Sequence, residues 1–478
     1  MLNRKLLEIL QRLQPPEIKK LRLFLQSPYF MYGMSKDILS LFDLIIRHGA
    51  DGMLPALDKK QLSKRFFPDK PYLENKKNPI DNLASSLLAL TKKFLFIQSA
   101  EENTSAMMKE LAVARFYMKF GLEERFLASE QLMRQLLDQQ KMVGASLFLE
   151  KYYLEELATD FNALFSDLEK HASTQVLKMN ALDQFFSVAK LELLCNLMHL
   201  QQMTKMDLPQ PDSQVIAWLN HISEEENTAA NLYRKVLNAF QNMEDFSKVQ
   251  IFEDHLKAAG HLIAPEHSQN CASFLRNFYM KRFQRTDQKE HFKAYFQLII
   301  QHLEAGYLYH EGKIFSFSLR NIIINGLRIG EYDTVLKILE NHPPERIGGT
   351  LHPKEVYHLN LAFYYFAIKN YERAEQYLTY CDYKNIILSI QAEITRIKIF
   401  YETGSPLLEP RVKALLQKVR RAGIAKQYQE RYADLLNKIL LLVKYGWDKN
   451  NPKRAQLADS LRKTPGVFEK EWLLSHLE

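Results

Sequence analysis

The chain has 478 residues, 46% hydrophobic and 25% charged, with a formal net charge of +8. That balance excludes a disordered chain and fits an ordinary globular one. No run reaches the roughly 18 uninterrupted apolar residues of a membrane helix. The opening stretch MLNRKLLEILQRLQPPEIKK mixes charge through its apolar positions, so an amphipathic helix is expected there rather than a signal peptide.

Charge falls in blocks. Residues 1–97 hold 17 Lys and Arg against 9 Asp and Glu, a net +8. Residues 98–410 hold 32 against 40, a net −8, and residues 411–478 hold 15 against 7, a net +8. Two basic ends flank an acidic middle.

In chain order, residues 1–98 are expected to form a small basic head of about five short helices. Pro15 and Pro16 suit the first turn of a helix over EIKKLRLFLQS. SPYFMYG reads as an aromatic loop, and ADGML as a break between helical patterns. Asn78-Pro79 supplies a cap and first turn for a long helix in which Leu83, Leu87, Leu90 and Phe94 keep the helical period. Lys59, Lys60, Lys64, Arg65, Lys76, Lys77, Lys92 and Lys93 make the head basic. A helix-turn-helix link has about 3–4 residues; here Pro68 to Asn78 intervenes, which argues against that motif.

EENTS, residues 101–105, is a joint. Between Pro79 and Pro209 there is no proline, and only Gly121 and Gly144 interrupt, so residues 105–205 are expected as helical hairpins. Within them FLEKYYLEELATDF carries Glu150, Glu155, Glu156 and Asp160. Glu156 and Asp160 stand one turn apart, and a solvated acidic face is the simplest account of them. MDLPQPDS, residues 206–213, is the next break. Helical repeats are expected over 213–405 and a basic helical cap over 406–478. Cys195, Cys271 and Cys381 are too far apart in sequence for zinc-ligand spacing and sit in apolar helical patterns. Buried free thiols and a reducing, cytoplasmic setting are expected.

Phe246, Phe292, Tyr332 and Tyr371 each open a second helical pattern, at spacings of 46, 40 and 39 residues, and Val249, Tyr295, Val335 and Ala374 follow three positions later. A recurrence near 40 residues is that of stacked helix pairs, since one hairpin cannot bury its apolar face alone.

His358-x2-Leu361-Ala362-x2-Tyr365 followed by Tyr371-x2-Ala374-x3-Leu378 resembles a tetratricopeptide repeat. The unit keeps that family's Leu361, Tyr365 and Ala374; it has His358 for Trp, Ala362 for Gly, Leu378 for Phe and Ile386 for Pro. The preceding unit, with Leu319, Ile322, Ile323, Gly326 and Val335, departs further. The resemblance implies an all-α fold of helical hairpins stacked as an α-solenoid, beside the small N-terminal head; a generic α-solenoid and an irregular helical bundle are the alternatives. Family members that grip a peptide carboxylate do so with Lys and Asn on the first helix. Those places correspond to Leu359 and Phe363, with Val356 and Phe366 beside them. All four are apolar, so the implied partner is a protein or peptide presenting an apolar helix or strand.

Catalytic patterns do not emerge. The sequence holds no GxSxG, HExxH or CxxC. GYLYHEGKI, residues 306–314, misses the phosphate-loop spacing by one residue and has Ile314 where that loop needs Ser or Thr; a glycine-capped loop between helices is expected. Glu355-x-x-His358 is a single copy, where a di-metal bundle needs two. No cofactor, metal or small-molecule substrate is implied. In RVKALLQKVRRAG, Val412, Leu415, Leu416 and Val419 share one face, while Lys413, Arg420 and Arg421 lie off it as a basic patch. The sequence thus points to a non-enzymatic interaction scaffold; a nucleic-acid-associated regulator using the basic head or tail is the alternative.

Overall fold

The computed structural model describes residues 2–31, 36–50, 58–74, 76–165, 168–204, 227–286, 289–380, 382–445, 451–464 and 467–477. These form 22 α-helices and almost no strand, an all-α fold. Two compact units emerge: Met1–Gln139 with Tyr153–Val176, and Gln140–Tyr152 with Leu177–Glu478. ADGML, MDLPQPDS, Cys381, and Tyr32 and Gly33 of the aromatic loop lie outside the described residues.

The first unit begins with α1 (Arg4–Leu10), α2 (Pro15–Gln26), α3 (Asp37–Ala50), α4 (Lys59–Phe66) and α5 (Pro79–Asn103). One apolar core runs through them from Leu2 to Phe94. Helix α2 starts in a reciprocal cap between Gln14 and Glu17, with proline in its first turn. Helix α5 starts the same way with Asn78 and Asp81. The Asn78 side chain also binds the backbone of Leu73 and Lys76, and Lys59 pairs with Asp81 at 2.9 Å, so one junction ties α4, the loop and α5. The chain then turns at Thr104 into α6 (Ala106–Lys119), capped by Ser105, and α7 (Glu123–Asp138). The helices α8 (Ala145–Phe165) and α9 (Leu168–Thr204) each contribute to both units. Within the first, Phe161 of α8 stacks on Phe126 at 3.9 Å.

The second unit continues with α10 (Thr228–Gln241), α11 (Phe246–Ala259), α12 (Pro265–Thr286), α13 (Lys289–Glu304), α14 (Ser316–Ile329), α15 (Tyr332–Asn341), α16 (Pro353–Ala367) and α17 (Tyr371–Thr379). It closes with α18 (Ile386–Glu402), α19 (Leu408–Arg421), α20 (Lys426–Tyr445), α21 (Pro452–Lys463) and α22 (Lys470–Ser475). Sequence neighbours pair: α10 with α11, α12 with α13, α14 with α15, α16 with α17 and α19 with α20. Helix α14 also touches α16, and α16 touches α18. Phe246, Tyr332 and Tyr371 are the first residues of α11, α15 and α17, while Phe292 lies one turn inside α13. Val249, Tyr295, Val335 and Ala374 are 1%, 3%, 0% and 0% exposed. Each is a first- or second-turn residue turned back onto its hairpin partner. Gly326 of α14 permits the closest of these approaches: a Cβ there would run into Val335 and stand 2.9 Å from the Phe296 ring.

The expectation of a plain capped loop at 306–314 is corrected. Tyr309–His310 and Lys313–Phe315 pair as antiparallel strands β1 and β2, and β3 (Ile347–Gly348) adds in parallel to β2. Glu311 and Gly312 have φ of 50° and 74°, the left-handed pair that a two-residue hairpin turn demands. Strands of two or three residues leave no alternating pattern to read.

Two buried histidines are bonded to polar neighbours. The backbone N–H of Ala145 donates to His267 Nε2 at 3.1 Å, which leaves Nδ1 to carry the proton toward the Tyr233 hydroxyl at 3.0 Å. His302, 5% exposed, lies 3.0 Å from an Arg276 N–H that donates to its Nδ1. Burial, then the charges of Arg276 and Lys257, push the His302 pKa down to about 3.

Two outcomes follow. Gly326→Ala should lower stability in urea unfolding by about 1–3 kcal/mol, because α14 and α15 have no room to part. His302 is neutral when folded and titrates near 6.5 when unfolded. Its contribution is full above about pH 6.5 and is lost as pH falls toward 3. Between pH 6.5 and 4, wild type should lose roughly 2–3 kcal/mol more than His302→Gln.

Candidate interaction face

Helices α14, α16 and α18 lie in succession and share a face. From α14 come Arg320 and Arg328, from α16 Phe363 and Phe366, and from α18 Lys398 and Glu402. The C-terminal segment joins them. Lys398 Nζ donates to Glu469 at 2.7 Å and stands 4.5 Å above the Phe366 ring and 5.5 Å from that of Trp472. Arg328 pairs with Glu471 and also covers the Phe292 ring at 4.0 Å. Glu402 accepts from Trp472 Nε1 at 2.9 Å and lies 2.8 Å from His476 Nε2. Tyr401 meets the Trp472 ring edge-on at 5.3 Å.

Burial acts to raise the Glu469 carboxyl, but the charge and hydrogen bond of Lys398, with Arg320 and Arg328 beyond, hold it below the usual carboxylate range. Arg320 is the outlier. Burial pulls its guanidinium pKa down, against the weaker opposing influence of Tyr432 and Glu469. Its Nε has no hydrogen-bond partner, and its guanidinium stands 5.9 Å from the Phe363 ring centre. Among the described residues no carboxylate forms an ion pair with it.

Of the four positions expected to line a groove, two do not reach a surface. Val356 and Leu359 are 6% and 2% exposed and belong to the cores on either flank of α16. Both flanks are covered, by α14 and α15 on one side and by α17 and α18 on the other. Phe363 and Phe366 are half-buried, with cations against their rings. Sequence reasoning missed Arg320, Arg328, Lys398, Glu402, Glu469, Glu471, Trp472 and His476. Their partners lie up to 143 residues away, and no local pattern announces them.

The basic patch is split. Lys413 pairs with Glu409 at 2.6 Å, while Arg420 and Arg421 are exposed in the last turn of α19, where cations also offset the helix dipole. Between α18 and α19 a cleft of about 450 Å³ is walled by Glu393, Arg411 and Lys418. Arg411 binds Glu393 at 2.9 Å and Lys418 binds the Ser389 hydroxyl at 2.7 Å.

Elsewhere the titratable groups serve the fold. Glu355 accepts from the Lys384 backbone at 3.0 Å. His358 packs among Tyr357, Tyr377 and Tyr380, and burial lowers its pKa. Glu155 is bound by Arg134 at 2.6 Å. Cys195 and Cys271 are free and buried, and burial pushes both thiols up. Among the described residues no group of three His, Cys, Asp or Glu is arranged to hold a metal, and no helix is long and apolar enough to cross a membrane.

Comparison with family models, curated proteins and solved structures returns no match.

Leu359→Ala should cost about 2–5 kcal/mol in chemical unfolding, as a core truncation does. Lys398→Met keeps the stem over Phe366 and removes the charge; it should cost about 1–2 kcal/mol and shift Trp472 emission.

Proposed function

We propose that the protein is a non-enzymatic interaction scaffold. Tetratricopeptide-like hairpins stack, and the face of α14, α16 and α18 takes a protein or peptide partner. The observation that supports this most is Arg320. A guanidinium whose Nε is buried and unused weakens the fold, and a residue that breaks a packing rule at a surface rich in aromatic groups and cations is expected where a partner supplies what is missing. Phe363 and Phe366 provide apolar anchorage, and Arg320, Arg328 and Lys398 set the sign of the partner's charge. The free, buried thiols of Cys195 and Cys271 favour a reducing compartment such as the cytoplasm.

Arg420 and Arg421 favour a second reading, contact with nucleic acid. They are exposed and, among the described residues, have no acidic partner. Capture from native lysate, with and without nuclease, separates the two readings. Under the scaffold reading, Arg320→Met abolishes partner capture, survives nuclease treatment as a difference from wild type, and leaves the Tm equal or raised. Under the other reading, nuclease abolishes capture and only Arg420→Ala with Arg421→Ala reproduces the loss, together with a steep salt dependence.

A further inference from the structure

We propose that the face recognises an acidic helix bearing an aromatic residue, and that the chain's own segment 467–477 occupies it as an internal copy of that partner. This rests on reading the face as an interaction surface.

The segment reads VFEKEWLLSHL, and its contacts divide. Glu469 and Glu471 meet Lys398 and Arg328, and Trp472 lies against Lys398 and Tyr401 while donating to Glu402. Leu473 and Leu477 enter a core shared with Tyr432, Leu435, Leu436 and Leu461 of α20 and α21, and Trp472 packs against the edge of the same core beside Tyr401. The two acids that meet the cations of the face are therefore separate from the leucines that tether the segment, with Trp472 between them.

The closing contacts are unequal in strength. The Arg328–Glu471 pair is the more exposed, with Glu471 55% exposed at its side chain, and such pairs contribute little; Lys398, 12% exposed, holds Glu469 more firmly. Glu469 also has φ of 53°, a left-handed backbone that a non-glycine residue seldom adopts. The match is incomplete as well. Arg320 Nε finds no acceptor. A partner helix with the same acidic–aromatic pattern and one further carboxylate would satisfy Arg320 and compete for the site.

The test uses the full-length chain and a fluorescein-labelled peptide of residues 467–478, read by anisotropy. Charge reversal of the internal copy, Glu469→Lys with Glu471→Lys, repels it from the face while leaving Leu473 and Leu477 in place. This variant should bind the wild-type peptide about tenfold more tightly than the wild-type chain does. Adding Lys398→Glu to it should remove the gain, and a peptide carrying the same two reversals should not bind. Equal binding by the wild-type chain and the reversed variant, or equal binding of both peptides, overturns the proposal. Hydrogen exchange on the wild-type chain gives a second measurement that does not depend on the variant's folding. Amides of α22 should exchange faster than those of α20; exchange of the two only together overturns the proposal. Should the peptide result be negative while Arg320→Met still abolishes partner capture, the internal-copy proposal fails and the scaffold reading stands.

Discussion

Helix α16 belongs to two cores at once, and the second unit depends on that. Val356, Leu361 and Tyr364 enter the core built with α14 and α15, whereas Leu359 and Ala362 enter the one built with α17 and α18. A helix apolar on opposite flanks cannot be satisfied by a single hairpin partner, so a neighbour is required on each side. What remains uncovered is narrow. It includes Phe363 and Phe366, and the face they define is fixed by which flanks the cores have consumed. The same double burial makes the face stiff, since its residues stand on a helix held from two directions.

Covering α16 on both flanks also explains where small and shape-matched residues fall. Ala362 and Ala374 let α16 and α17 close together, and Gly326 does the same for α14 and α15. Where the close approach is at Gly326, the residue opposite is the larger Val335. Where it is at Ala374, the opposing positions include Ala362. Small residues at these positions admit close helix packing without a void.

Much of this was legible before any coordinates. Helix starts at Pro15, Pro79, Tyr332 and Tyr371 follow from capping chemistry and helical period, both local properties. The hairpin at Glu311–Gly312 was not legible, because its strands are too short to alternate. At the face, Phe363 and Phe366 are singled out by the resemblance to a tetratricopeptide first helix. Val356 and Leu359 are grouped with them by the tetratricopeptide resemblance, which places a residue on the first helix without saying what covers it in this chain. On a helix with two apolar flanks that ambiguity is intrinsic. The acids and Trp472 that meet the face were beyond reach for a different reason. Their pairing depends on tertiary placement of residues some 70 to 143 positions apart.

Average charge was a poor guide at the same place. Residues 411–478 carry a net +8, which directs attention to Arg420 and Arg421 and to acidic or nucleic-acid partners. Yet the residues of that segment that meet the cations Arg328 of α14 and Lys398 of α18 are Glu471 and Glu469, its acids. Meanwhile the block of net −8, residues 98–410, contributes the cations Arg320, Arg328 and Lys398. In the pairs Arg328–Glu471 and Lys398–Glu469 each block contributes the sign opposite to its own mean. Coulomb attraction falls with distance and is screened within about 8–10 Å of water and salt. Complementarity is therefore decided by the few charges that a fold brings to one surface, and the sign that a partner must carry is read from those charges alone.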